Sequence, residues 1–358
     1  SDIKTKYSYI RGEGLNVPGI KELSNTLNTF AGDQVTQLRN VGVFGDLRLE
    51  YKDRFFLTVT GRNDWISVLP SSNRSFFYPS FSLSTLVHDW IDPQEKILSF
   101  AKVRASWAQV GKGPNFGQVG QFFIKDDSFP FNGASGFSAS TSIGDQNIDP
   151  EKSNTFEIGT DLRFLKNRVR FDYSYYHSTV HDQIFPVGAA FSSGLSTVVR
   201  NAGNYKTWGH ELLVTLDIFK REKFKWSAIV NWSTTGSEVT SIPSDLDEIV
   251  FFDDWITSKA KVGDELGSLY GWVFQTAPNG QRIVGPEGKW IVTGDKNEDF
   301  YFNNGNQKVK VGNAFPDYVL SLTNNFTWKN FNLNFLVEYK SGGDLYDRGL
   351  RNGLRNGT

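Results

Sequence analysis

Few residues in this sequence have the spacing of metal-binding groups. His177 and His181 lie four residues apart, which on a helix would place the two imidazoles together as a metal pair. The surrounding segment alternates like a strand, so both side chains share one face, and we interpret them as part of a polar lumen or rim. Asp295, Asn297 and Asp299 have the acidic spacing of a calcium loop without its central glycine or its terminal glutamate. We therefore predict no metal site, and these three residues are the only candidates for one.

No group of residues stands out as an active site. The chain has no cysteine, which excludes disulfides and thiolate chemistry. No glycine-rich loop follows a strand and opens a helix to hold a phosphate. Asp253 and Asp254 are adjacent in a loop, whereas a glycosidase needs two carboxyl groups about 5–10 Å apart in a cleft. We predict that the protein is not an enzyme, has no catalytic residues and has no cofactor.

Aromatic residues make up 15% of the chain, with 30 Phe, 13 Tyr and 10 Trp. Such rings can stack on sugar faces or hold the apolar side chains of a peptide, and they can equally pack loops into a rigid cap. We take as candidate substrate contacts those that fall in predicted loops: Trp65, Phe76, Phe77, Trp255, Tyr270, Trp272 and Trp290.

The elements that must position these residues are strands with a period of two. We predict about ten of them, at 46–51, 55–62, 80–84, 102–107, 156–164, 169–175, 211–218, 226–233, 318–326 and 331–340. One row of each strand is apolar and the other carries charges of both signs. On a lipid face a charge would cost several kcal/mol, so we place the apolar rows outward and the charged rows inward.

The connections between these strands alternate between short turns and long loops. Short turns lie at 50–54, 164–168, 220–224 and 328–331, and long loops lie at 66–76, 111–151, 185–198 and 238–315. Short periplasmic turns and long extracellular loops are typical of outer-membrane barrels. The sequence thus favours an all-β, antiparallel transmembrane β-barrel, of which these strands form only a part.

Composition excludes other classes. A net charge of -1 argues against a nucleic-acid binder, and no apolar run approaches the roughly 18 residues of a membrane helix. The alternative that remains from the pattern alone is a soluble antiparallel β-sandwich with one solvated face, for instance a carbohydrate-binding protein.

Several motifs resemble one known family. They are VFGDLRLEYKDRF at 43–55, TGRNDW at 60–65, FFYPS at 76–80, KVRASWAQVG at 102–111, NIDPEKSNTFEIG at 147–159, NAGN at 201–204 with GHEL at 209–212, VGNAFPD at 311–317 and GGDLY at 342–346. In this order they resemble the barrel of SusC/RagA-type TonB-dependent transporters of Bacteroidetes.

The resemblance implies an outer-membrane barrel of about 22 strands. It also implies a SusD-like lipoprotein as a lid, TonB acting through an N-terminal region, and uptake of oligosaccharides or peptides. We expect residues 1–358 to be the C-terminal portion of the barrel, without the plug, the N-terminal domain and the last strands. A passive porin or structural outer-membrane protein remains an alternative.

Overall fold

The computed structural model describes residues 1–91, 97–131, 134–273, 276–284 and 308–357. The strands are β1 (Asp2–Leu15), β2 (Thr26–Tyr51), β3 (Phe55–Ile66), β4 (Ser75–Leu86), β5 (Leu98–Lys112), β6 (Phe123–Phe131), β7 (Ala134–Ala139), β8 (Ser142–Gly144), β9 (Glu151–Phe164), β10 (Val169–His181), β11 (Ile184–Gly188), β12 (Thr197–Asn201), β13 (Asn204–Arg221), β14 (Phe224–Ser241), β15 (Ile249–Asp253), β16 (Thr257–Ala260), β17 (Ser268–Gly271), β18 (Val309–Asn313), β19 (Pro316–Trp328) and β20 (Phe331–Gly342). The helices are α1 (His88–Ile91) and α2 (Arg348–Asn356), with single 3-10 turns at Leu23–Asn25 and Phe191–Ser193.

Eleven strands form one antiparallel sheet, the wall, in the order β1-β2-β3-β4-β5-β9-β10-β13-β14-β19-β20. All ten predicted strands lie in it, and the eleventh is β1, which pairs with β2. The short turns join successive wall strands at one end, and several hold left-handed residues, such as Lys52 at φ 52° and Asn167 at φ 65°. Neither helix of the described residues is long and apolar enough to cross a membrane.

The apolar row of the wall faces away from the protein interior. Leu47 is 55% exposed and Leu333 is 60% exposed, although both lie within regular strands. A soluble sandwich would bury such a row, so the exposed row argues against the sandwich and is what a lipid-facing surface requires.

The long loops contain most of the buried apolar residues and three small sheets: β6-β7, β11-β12-β8 and β15-β16-β17-β18. One cluster joins Leu69, Ile148, Ile184 and Val199 from separate loops. A second cluster centres on Val187, Ala202, Val239, Ile249 and Ala260. The loops therefore have cores of their own and form an ordered cap on one end of the wall.

The hairpin of β1 and β2 projects beyond the wall, because β3 pairs with β2 only as far as Asn40. Past that residue the outward face is no longer apolar throughout. It carries ion pairs such as Lys6 with Asp33, while Tyr7 and Tyr9 stack on the inward face at 6.0 Å. These outward charges show where the hairpin leaves the apolar surroundings that the outward row of the wall is built for.

Candidate functional site in the extracellular loops and the inner wall

Two of the predicted aromatic residues meet in the loop sheet β15-β16-β17-β18. Trp255 lies between β15 and β16, and Trp272 directly follows β17, so the pairing of β16 with β17 brings them together. Their ring centroids are 5.8 Å apart, and the planes cross at 79°. This edge-to-face geometry is the one that aromatic quadrupoles prefer. Trp255 is 43% exposed, so one face of the pair is open to solvent.

A buried lysine supports this pair from below. The Lys308 side chain is 2% exposed, and its Nζ lies 4.5 Å from the centroid of Trp272. The ammonium donates hydrogen bonds to Asp253 Oδ1 at 2.8 Å, to Thr257 Oγ1 at 2.7 Å and to the carbonyl oxygen of Asp254. The hydrogen bond from Lys308 is the main reason why the pKa of Asp253 lies below its ordinary value.

Helix α2 covers the other side of the pair. Asp347 caps the helix by accepting a hydrogen bond from the Leu350 N–H at 2.8 Å. The helix then places the Arg351 guanidinium 4.1 Å from the centroid of Trp255, and Arg348 lies 3.7 Å from Asp254. Each tryptophan ring thus lies within cation–π distance of one cation, Trp272 of Lys308 and Trp255 of Arg351.

Tyr270, in contrast, belongs to the interior of the loop sheet. It is 6% exposed, and its hydroxyl donates to Asp264, while Lys259 Nζ lies 4.5 Å from its ring. Burial, followed by the hydrogen bond to Asp264, raises the pKa of Tyr270. Burial is the largest single influence on Glu248 and would raise its pKa, but the hydrogen bonds and charges of Lys259 and Lys261 together outweigh it and lower that pKa.

The other predicted contacts lie apart from this group. Trp65 pairs with Ser75 on the outward row, and Phe77 follows on that row with 60% exposure. Phe76 points inward, stacks on Tyr78 at 5.6 Å and packs against the loop core. The remaining predicted site residues, Trp290, Asp295, Asn297 and Asp299, lie outside the described residues.

The inner row of the wall carries paired charges, as the alternation predicts. Arg104 on β5 reaches over Gly159 on β9 and donates to Asp172 Oδ1 on β10 at 2.8 Å. It also donates to Ser174 at 2.8 Å and lies 3.6 Å from Glu157. A Cβ at Gly159 would lie 2.7 Å from the Arg104 guanidinium, so a larger residue there would push the guanidinium away from its partners.

These arrangements can bind but offer no chemistry. Asp253 and Asp254 each face a cation, Lys308 and Arg348 respectively, and no three metal-ligating side chains converge within the described ranges. His177 and His181 do share a face, which is the outward one of β10. The cations of the site, Lys308 and Arg351, could not be predicted from the sequence, because nothing local marks a lysine or arginine that will meet a distant tryptophan.

An antiparallel wall with a lipid-facing outer row, a charged inner row and structured loops at one end is an outer-membrane barrel wall. The chain belongs to the family described as "TonB dependent receptor-like, beta-barrel", whose model matches residues 5–356. Members of this family are outer-membrane proteins and not enzymes, which confirms the family, the fold class and the location predicted from the sequence.

Among relatives, the TonB-dependent receptor P3 of Formosa agariphila is 24% identical over 85% of this chain and 32% of its own length. The TonB-dependent receptor SusC of Bacteroides thetaiotaomicron is 23% identical over 86% of this chain and 31% of its own length. A structure of the RagAB peptide importer matches with a TM-score of 0.78 and 18% identity, over 96% of this chain and 38% of that chain. The chain therefore spans about a third of the length of these curated relatives.

Proposed function

We propose that this chain forms part of the barrel of an outer-membrane nutrient importer, which is driven by TonB and covered by a SusD-like lipoprotein. The observation that carries the proposal is the family match over nearly the whole chain. The RagAB peptide importer, whose fold this chain shares, suggests peptides as a candidate substrate, and the resemblance of the sequence motifs to SusC/RagA-type transporters implies oligosaccharides as the other. In this proposal TonB contacts a part of the full-length protein outside residues 1–358.

In this proposal the exposed face of the Trp255–Trp272 pair contacts the substrate. The pair is rigid because Lys308 and Arg351 hold it from both sides, so few rotamers are lost on binding. A flat ring with a cation beside it suits both sugar faces and peptide side chains. The inner wall, with its paired charges, then lines the path of a polar substrate.

The test is substrate binding by the full-length protein in detergent, measured by calorimetry with oligosaccharide and peptide pools. We expect Trp255→Ala to weaken binding of the active pool about tenfold, in line with a central aromatic contact. The matched control is Trp90→Ala, because Trp90 is 54% exposed and lies beside Phe55 at the opposite end of the wall. Equal binding by the two variants would remove the pair from the proposed site.

A passive porin is the second candidate, and it is separated by energy coupling. Uptake by cells that lack TonB, or that are treated with a protonophore, stops for a driven importer and continues for a porin. Co-purification of a lipoprotein with the full-length protein tests the lid.

A further inference from the structure

A row of rings crosses the outward face of the wall near its loop end. The pairing register places Phe81, Trp107, Phe156, His177 and Trp208 side by side on β4, β5, β9, β10 and β13. Phe81 and Trp107 stack at 5.9 Å, and Gly236 leaves room for the Trp208 indole. Such a row marks the extracellular boundary of the apolar band.

Directly above this row lies a basic patch centred on Thr179. Thr179 pairs with Asn154 on β9 and with Lys206 on β13. His177 and His181 lie two residues to either side of it on the same face, and Lys152 pairs with His181. We define the Thr179 patch as Lys152, Asn154, His177, Thr179, His181 and Lys206.

The patch has more positive than negative charge. Lys206 Nζ lies 5.8 Å from the centroid of Trp208 and 2.8 Å from Glu238 on β14. Glu238 is the one acidic residue on the outward rows of β5, β9, β10, β13 and β14 at this height, within the described part of those strands. Lys152 is exposed and faces the same side.

The spacing suits a single anionic group. Strands β9 and β13 are two strand spacings apart, about 10 Å, so Lys152 and Lys206 can both reach a group above Thr179. Imidazoles above and below, with the Thr179 hydroxyl and the Asn154 amide, supply further hydrogen-bond donors. A phosphate fits this set because it offers several strong acceptor oxygens.

We propose that the Thr179 patch binds the phosphate-bearing headgroup of a lipid in the outer leaflet of the outer membrane. Its acyl chains would lie on the apolar band below, against Phe156 and Trp208, and this continuity favours a lipid over free phosphate. The inference rests on the outer-membrane location of the family and not on the proposed transport.

The test uses the full-length protein in detergent and native mass spectrometry. The probes are bisphosphorylated lipid A, the same lipid after phosphatase treatment, and inorganic phosphate. The variant is Lys152→Gln combined with Lys206→Gln. The control is Lys112→Gln, because Lys112 lies at the same end of the wall on the inner face, with its side chain 73% exposed and 3.6 Å from Glu151.

We expect bisphosphorylated lipid A to bind the unaltered protein and the control equally, and the double variant about tenfold more weakly. Thr179→Val, which removes only a hydroxyl, should weaken binding by a smaller factor. Heat-modified migration on gels shows that each variant is folded. Equal lipid binding by the double variant and the control, equal binding of the phosphatase-treated lipid, or equally tight binding of inorganic phosphate would each overturn the proposal.

Discussion

The ion pair between Lys308 and Asp253 is built asymmetrically, and the asymmetry can be measured. The Lys308 side chain is 2% exposed, whereas that of Asp253 is 58% exposed. Asp253→Ala leaves a buried ammonium with only neutral acceptors, which costs about 3–5 kcal/mol for a fully buried pair. Solvent already screens Asp253, so we expect about 2–3 kcal/mol.

Lys308→Met removes the same pair from its other end. The carboxylate of Asp253 is then hydrated by water, and the Thr257 hydroxyl still donates to it. Lys308→Met therefore removes charged hydrogen bonds to a carboxylate that water already reaches, and we expect it to lower the free energy of unfolding by about 1 kcal/mol. Lys308→Met would be the more destabilising substitution only if the carboxylate of Asp253, and not the ammonium of Lys308, were the buried partner.

The assay is hydrogen exchange of the β16 and β17 amides in the full-length protein. Asp253→Ala should lower the protection of these amides about five- to thirtyfold more than Lys308→Met does. Lys310→Met is the control on the neighbouring strand position, because Lys310 and Glu265 form an exposed pair at 3.2 Å, which contributes about 0–1 kcal/mol. Equal effects of Asp253→Ala and Lys308→Met, or a larger effect of Lys308→Met, would refute this reasoning.

Three further predictions concern the wall and the loop sheet. Gly159→Ala should lower the temperature at which the full-length protein loses its heat-modified migration on gels, because a Cβ there meets a guanidinium, whereas Gly45→Ala, with no neighbour within 4 Å, should not. Val214→Arg on the outward row should destabilise the barrel by about 2–4 kcal/mol in urea titrations in lipid, and Leu213→Arg on the inward row, where Leu213 is 43% exposed and pairs with Asp172, should be tolerated. The pKa of Asp253 is lowered in the folded state, so its ionised carboxylate stabilises the fold fully above the ordinary pKa of 3.8 and progressively less as the pH falls below that value. Protection of the loop-sheet amides should therefore stay level at pH 5–7 and drop in more acidic buffer.

The wall could be predicted from the sequence because its signals are local. Alternation within each strand identifies the outward and inward rows, and the short turns identify which strands are neighbours. Strand β1 was missed because its outward face carries Lys4 and Lys6 while its inward face carries Tyr7 and Tyr9, the reverse of the wall. Strand prediction that looks for an apolar outward row therefore does not identify β1.

The candidate site could be predicted only in part. The tryptophans were found as loop aromatics, but their meeting depends on the pairing of β16 with β17. Lys308 comes from about fifty residues beyond Thr257, and Arg351 comes from helix α2, after the β19-β20 hairpin. Tyr270 is a loop aromatic in the sequence, as Trp255 is, yet it is buried. Lys259 lies over its ring, and its hydroxyl donates to Asp264. Contacts between residues so far apart in the chain cannot be predicted from the residue pattern of one local segment.

The pairing of β8 with β12 has a consequence for the order of assembly. Ser142–Gly144 and Thr197–Asn201 come from two different loops, with β9 and β10 between them in the chain. They lie side by side in parallel once β9 and β10 have paired as a hairpin. Closing that long loop costs less conformational entropy after the hairpin of β9 and β10 has shortened the effective chain. We therefore expect strands to join the wall one hairpin at a time during biogenesis, and the cap to lock in a late step, after its segments have been exported.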